Sequence, residues 1–389
     1  MDHKAFYCED FYSFPVKVLK FIGCNFLPKI PRSKTDKIQK IVMEFVFWIV
    51  MIIYGSASIS YAICLILNIN DQKIVAKVLP TVLHSPEVLF RILLLYKKRQ
   101  KLREIFIILE NLFPNNKQEQ KKNEIVNFYS SLMKYQKGCI GISVFVFIGL
   151  FLKAISESMK KEHRELLIEM WMPFDTSNNF IYFITCVYML TVIAIAACIS
   201  CPVTLIISAI TSLVAILFHI LKNDIKKSLN NSGLRVNELK VLINRHNELI
   251  DLVKKVQSLF SIILLSMFVV SSMVICVTGY ETMMATNMTD SIMYSQYSIA
   301  VLYDIIPVCY FCHKIIDTSE SLIEAINQSN WYEIKDFKIR KMIPFMIQRA
   351  QKISYLSGNG FVIISRSTIS SVLTKSYSYL TMLRHLLDQ

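Results

Sequence analysis

The first groups in this chain with chemistry to offer are ionisable side chains stranded in apolar sequence. Glu87 and Arg91 interrupt the run Val78–Tyr96, and Asp304 stands alone in Ser291–Cys312. Inside hydrocarbon such groups are costly, and they mark either an ion path or a pair joining two helices. For Asp304 both readings are open, a cation site and a helix pair, with the pair preferred. His84, close to Pro86, is open in the same way: a proton relay or ligand contact, or a packing histidine with a satisfied ring, again with packing preferred. No His-Glu-x-x-His, glycine-rich phosphate loop or nucleophile elbow is present, and the seven histidines are scattered. These absences argue against an enzyme, a metal centre or a cofactor.

A second group of reactive side chains lies near the C-terminus. Between Phe361 and Leu383 the chain carries Arg366, Lys375 and a run of hydroxyls that includes Ser365, Thr368, Thr374, Ser376 and Ser378. Hydrocarbon tolerates these poorly, so they must face protein or water. Two readings remain open, a water-filled path with Tyr377, Leu380 and Leu383 about a turn apart as a constriction, and a polar seam in a bundle. Aromatic residues gather in other segments, among them Phe147, Phe151, Phe180, Phe183, Tyr188, Tyr280, Tyr294 and Tyr297. They are either an interfacial belt or the wall of an apolar ligand pocket.

The elements that must position these groups are long apolar helices. Hydrophobic residues make up 53% of the 389, charged residues 19%, and the mean hydropathy is +0.43. That is too little charge to coat a soluble fold of this length. A span needs about 20 helical residues. Candidates are Ile41–Leu67, Val78–Tyr96, Gly138–Leu152 (extended by Ala154 and Ile155), Val256–Tyr280, Ser291–Cys312 and Phe361–Leu383. No cleavable signal peptide is expected before them. Phe180–Leu221 is 42 residues without Asp, Glu, Lys or Arg. As one helix it measures roughly 63 Å, about twice a bilayer. It is therefore either a hairpin turning near Pro202 or one span whose second half is buried in protein outside the membrane.

Charge placement decides between them. With one span there, residues 1–40, 97–137, 222–255 and 314–352 together hold 33 Lys and Arg, against 6 in residues 68–77, 153–179 and 281–297. The hairpin nearly abolishes this bias. The positive-inside rule then predicts an all-α membrane protein with seven transmembrane helices, a cytoplasmic N-terminus and an extracellular C-terminus. The net charge of +14 is thereby an orientation signal, and nucleic acid is not needed to explain it. The expected divisions are a cytoplasmic segment 1–40, helices one to four in 41–221, helices five and six with cytoplasmic anchor helices in 222–352, and the last helix in 353–389. The ten cysteines fall in spans or on the inner side, so no outer disulfide is expected. Of three Asn-x-Ser/Thr sequons, only Asn287 falls on the outer side as a glycosylation candidate.

Trp331–Lys352 has apolar residues near a helical period, at Ile334, Phe337, Ile339, Met342, Ile343, Phe345, Met346 and Ala350. Such a basic amphipathic segment lies on a membrane surface, binds a partner, or packs on neighbouring helices. The overlong fourth span favours packing, because its second half needs cover. This predicts an intracellular helical anchor domain.

The end of the chain carries a more specific pattern. Gln328-Ser329-Asn330-Trp331-Tyr332-Glu333, Arg349-Ala350-Gln351 and Thr374-Lys375-Ser376-Tyr377-Ser378-Tyr379-Leu380-Thr381-Met382-Leu383-Arg384 resemble the C-terminal signature of the insect odorant receptor family. Trp171-Met172-Pro173-Phe174-Asp175 and His246-Asn247 add weaker support. The resemblance covers most of the chain. It implies an odorant-gated, non-selective cation channel in the cell membrane of an olfactory dendrite, tetrameric, with the last helix lining the pore. It implies a ligand site in the outer half of helices two to six, and a heterotetramer with an odorant receptor co-receptor. The co-receptor has a longer connection between spans four and five than Lys222–Lys255, so this chain resembles a tuning subunit. Gustatory relatives end in Gln-Phe where Leu383-Arg384 stands here. Lys375 and Arg384 are unfavourable in four copies around a cation pore, which disfavours a homotetramer.

The expected ligand residues are His84, Phe147, Phe151, Phe183, Tyr188, Tyr280, Tyr297 and Val301. Those expected at the pore and gate are Tyr377, Leu380, Thr381, Leu383 and Arg384. The expected partners are the co-receptor, a small volatile odorant and membrane lipid. The alternatives are a seven-helix receptor signalling through a partner protein and a gustatory-type channel. A secondary transporter is disfavoured, since no internal repeat or glycine-broken helix is evident.

Overall fold

In a computed structural model, the chain is described over residues 6–25, 34–114, 116–122, 124–158, 166–175, 178–231, 233–285 and 288–387. Its described residues are almost entirely helical. The elements are α1 (Cys8–Phe21), α2 (Lys34–Leu67), α3 (Gln72–Lys97), α4 (Arg99–Leu112), α5 (Lys117–Lys122), α6 (Ile125–Ser158), α7 (Asn179–Leu229), α8 (Val236–Met284), α9 (Met288–Asn327), α10 (Phe337–Ala350) and α11 (Arg366–Leu387). Among them α2, α3, α6, α7, α8 and α9 are long and apolar enough to cross a membrane. At 22 residues α11 has the length, but its hydroxyls and cations keep it out of that set.

α7 resolves the ambiguity of the 42-residue apolar run. It is one helix of 51 residues that continues through Pro202 without turning back, about 77 Å long. Its start is set by Asn178, whose side chain accepts from the Phe180 N–H at 2.9 Å. Its two halves have different surroundings. Before Pro202 it leaves Phe180, Phe183, Ile184 and Val187 exposed on one side. After Pro202 it is buried all round, from Val203 through Phe218. A helix that is apolar on every side needs protein on every side. α9 supplies the most extensive packing, joined by α1, α6 and α8.

The end of the bundle that holds this second half of α7 also holds α1, α4 and α10. α1 stands on an aromatic cluster in which Phe11 meets Phe113 and Tyr129 edge-on and Tyr12 packs on Phe106. The Tyr12 hydroxyl also hydrogen-bonds the Glu110 carboxylate. α10 buries Ile339, Ile343, Met346 and Ala350 against α8 and α9 and leaves Phe337 and Phe345 exposed. This is the packed alternative for the amphipathic segment.

Gly23 closes the turn after α1 at φ +82°, and a Cβ there would overlap the Met43 carbonyl and the Phe47 N–H of α2. Gly23→Ala is expected to cost about 1–3 kcal/mol, from a left-handed backbone and a forced displacement of α2. A lower melting temperature of the detergent-solubilised protein checks this, and an unchanged one refutes it.

The last helix starts later than its apolar sequence suggests. Phe361 and its neighbours form a short hairpin, β1 (Ser357–Gly358) against β2 (Val362–Ile363), and α11 begins only at Arg366. The hairpin is fastened to α8 by Gln257, which donates to the Ser357 carbonyl and accepts from its N–H, both at 2.8 Å. Two buried backbone groups are satisfied there, which a continuing helix would not do. α11 then lies along α8 through Thr368, Val372 and Ser376, one buried residue per turn. Ser376 donates to the Ser272 carbonyl at 3.0 Å.

Candidate ligand cavity

The main cavity, of about 250 Å³, lies among α2, α3, α6, the first half of α7 and α9, with residues 166–169 closing one side. Its wall is mostly apolar, built from small residues such as Ala196, Ala197 and Ala300 and from larger ones such as Phe147 and Val301. No residue of α8 lines it, whereas Tyr54 and Tyr61 of α2 do. Four of the eight expected ligand residues, His84, Phe147, Tyr297 and Val301, line this space. The other four do not. Phe151 and Phe183 point outward, at 49% and 65% exposed. Tyr188 is held at the bundle periphery, its hydroxyl 2.8 Å from that of Ser56, and Tyr280 belongs to α8. The reason is helical phase: a rotation of about 100° per residue separates neighbours that look equivalent in sequence. Asn287 and the side chains of Leu383 and Arg384 lie outside the described residues.

The charged residues found in the apolar runs converge at one end of the cavity. Arg91 is buried, with Nη1 2.5 Å from Asp304 Oδ2, and its Nε donates to Glu87 one turn earlier. Asp304 also accepts from Thr204 at 2.5 Å and Ser200 at 3.2 Å, both on α7. Ser266 of α8 reaches Glu87 at 3.3 Å. One cluster therefore ties α3, α7, α8 and α9, which is the pairing reading of Asp304. At the opposite end, Lys153 of α6 pairs with Asp290 at 3.2 Å. Between them His84 Nδ1 and the Tyr297 hydroxyl are 2.9 Å apart. The other lining residues, Tyr54, Tyr61, Gln296 and Leu166–Glu169 among them, come together only through tertiary packing and carry no periodic signal that singles them out.

At α11, Tyr377 is 67% exposed and Thr381 is exposed with its hydroxyl bonded to the Ser378 carbonyl. Leu380 is half-buried and leans on Gly279 of α8. The exposed face of α11 also carries Lys375.

Long apolar helices around a largely lipophilic internal cavity define a multi-pass membrane protein built around a small-molecule site. A sequence profile described as 7tm odorant receptor matches residues 73–377, and the chain belongs to that family, whose members are receptors and not enzymes. Odorant receptor 13a of Drosophila melanogaster is 24% identical over 96% of this chain and 97% of its own. Odorant receptor 85c of the same fly is 23% identical over 74% of this chain and 76% of its own. The fold is that of the olfactory receptor OR5 of Machilis hrabei, with a TM-score of 0.84 at 15% identity over 96% of this chain and 97% of that one. The same receptor in complex with eugenol gives a TM-score of 0.85 at 16% identity, over 97% and 98% of the two chains.

Proposed function

We propose that this chain is a tuning subunit of an odorant-gated, non-selective cation channel, working with a co-receptor in a heterotetramer in the membrane of olfactory dendrites. The observation that carries the reading is the largely apolar cavity between the helices of a bundle of odorant-receptor fold. The eugenol complex of the Machilis receptor supports a small aromatic or similarly lipophilic ligand. Binding by burial contributes about 25 cal/mol per Å² of apolar surface. The ligand opens the pore only through its extra affinity for the open state.

In this reading α11 is the seventh crossing and lines the pore, with the N-terminus cytoplasmic and the C-terminus outside. The 33-to-6 distribution of basic residues supports that orientation, and the exposed polar face of α11 supports a second subunit or water beside it. The end bearing α1, α4 and α10 is the cytoplasmic anchor. Tyr377, Leu380 and Thr381, with Leu383 and Arg384 beyond, form the constriction. Lys375 and Arg384 favour one or two copies of this chain per channel.

Recording odorant-evoked currents from the chain with and without the co-receptor tests the proposal. Currents only with the co-receptor are expected; currents of equal size without it refute the heteromer. For the gate, Leu380→Ala is expected to raise resting current about tenfold, because a leaning leucine that narrows the path is removed. Unaltered resting and evoked currents with both Leu380→Ala and Leu380→Glu would remove Leu380 from the gate.

A further inference from the structure

The polar groups around the cavity differ in whether their hydrogen-bonding capacity is already engaged, and this decides what a ligand can find there. Asp304 is occupied by Arg91, Ser200 and Thr204. Lys153 is occupied by Asp290, and Lys77 has an electrostatic interaction with Glu281. The hydroxyls of Thr81 and Ser143 donate to carbonyls of their own helices. An ammonium entering this space therefore meets no unengaged carboxylate, and a carboxylate finds only Lys77, whose charge Glu281 already offsets in part, so the desolvation of either would go largely uncompensated.

Three groups remain open among the described residues, the Tyr61 hydroxyl and two that carry an N–H. The Gln296 side chain is buried against the bare backbone of Gly149, where any Cβ would collide with its amide, and that amide makes no hydrogen bond among the described residues. His84 meets Tyr297 through Nδ1 alone. A phenol is a better donor than a neutral imidazole, and an imidazole nitrogen a better acceptor than a phenol oxygen. The Tyr297 hydroxyl thus donates to Nδ1, and the proton of the ring sits on Nε2, which has no partner among the described residues. Gln296 and Tyr297 are consecutive on α9, so the amide and the His84–Tyr297 pair bear on one cavity. Both present an N–H.

We infer that the cavity selects neutral volatiles carrying one oxygen acceptor, such as a ketone, ester or aldehyde, over hydrocarbons, amines and acids of the same shape. A dry cavity of about 150 Å³ takes a benzene ring, so one of about 250 Å³ takes about ten heavy atoms. The inference rests on the cavity being the odorant site.

The test uses the full chain with its co-receptor and probes of equal heavy-atom number: acetophenone, isopropylbenzene, α-methylbenzylamine and benzoic acid, then methyl hexyl ketone and nonane. The expected result is activation by a ketone at a concentration about tenfold below its hydrocarbon partner, the factor that about 1.4 kcal/mol represents. Gln296→Met, which keeps the volume, and His84→Phe are each expected to remove most of that advantage, read as the ratio of ketone to hydrocarbon potency within each variant. Equal potency of ketone and hydrocarbon, a preference for the amine or the acid, or silence to every probe overturns the inference. If either variant fails to reach the surface by epitope labelling, the wild-type ranking alone decides. The two levels separate through Val301→Trp: ketone responses that survive a filled cavity refute the cavity as odorant site, whereas their loss alongside equal ketone and hydrocarbon potency refutes the acceptor preference alone.

Discussion

Arg91→Met is expected to remove most of the folded protein from the membrane. The Arg91 guanidinium is 1% exposed and lies between two carboxylates, Glu87 and Asp304. Without it, two acidic groups face each other in a low-dielectric interior, and one Glu87 oxygen already has no partner. Breaking a buried pair costs about 3–5 kcal/mol, a large share of the roughly 5–15 kcal/mol that stabilises a typical domain. The direction of the effect is specific to charge parity. Asp304→Asn leaves one guanidinium with one carboxylate, a neutral pair, so it is expected to be milder than Arg91→Met. Replacing all three, as Glu87→Gln, Arg91→Met and Asp304→Asn together, is expected to recover part of the loss. Surface labelling and melting of the detergent-solubilised protein measure the series. Wild-type levels of Arg91→Met, or Asp304→Asn as the worse of the two single variants, would contradict this account.

The second large effect is expected from Val301→Trp, which places an indole in the cavity. Val301 is 3% exposed and sits beside Ala300 on α9, across from the small residues of α7. A ligand that buries about 200 Å² of apolar surface gains about 5 kcal/mol from it. Losing even half of that shifts the dose-response by roughly a hundredfold. Overpacking also strains the bundle by about 1–3 kcal/mol, so surface labelling must accompany the recordings. Val269→Trp on α8, at a position 44% exposed, is the matched control and is expected to leave the dose-response in place. A wild-type dose-response from Val301→Trp would show that odorants act elsewhere.

Much of the fold was legible because hydropathy and charge act along the chain. Five of the candidate segments and the uninterrupted run at Phe180–Leu221 form the six long apolar helices, and that run is one helix, as the distribution of Lys and Arg requires. The amphipathic period at Ile339, Ile343, Met346 and Ala350 faces protein. The start of the last helix is not legible in the sequence, because Phe361, Val362 and Ile363 are as apolar as a membrane span, while Gln257, about a hundred positions earlier, holds their hairpin against α8.

For the cavity the division is sharper. Composition, hydropathy and the family signature, all local properties, identify a multi-pass odorant receptor and nominate aromatic candidates. Facing direction is a different quantity. Phe147 and Phe151 are four residues apart in one helix, and only the first reaches the cavity. Likewise Arg91 and Asp304 are 213 positions apart, and no periodicity in either segment pairs them. Burial tells the chain which residues leave water, but a membrane offers both lipid and protein as apolar surroundings. Only the packing of helix on helix decides which of the two each side chain receives.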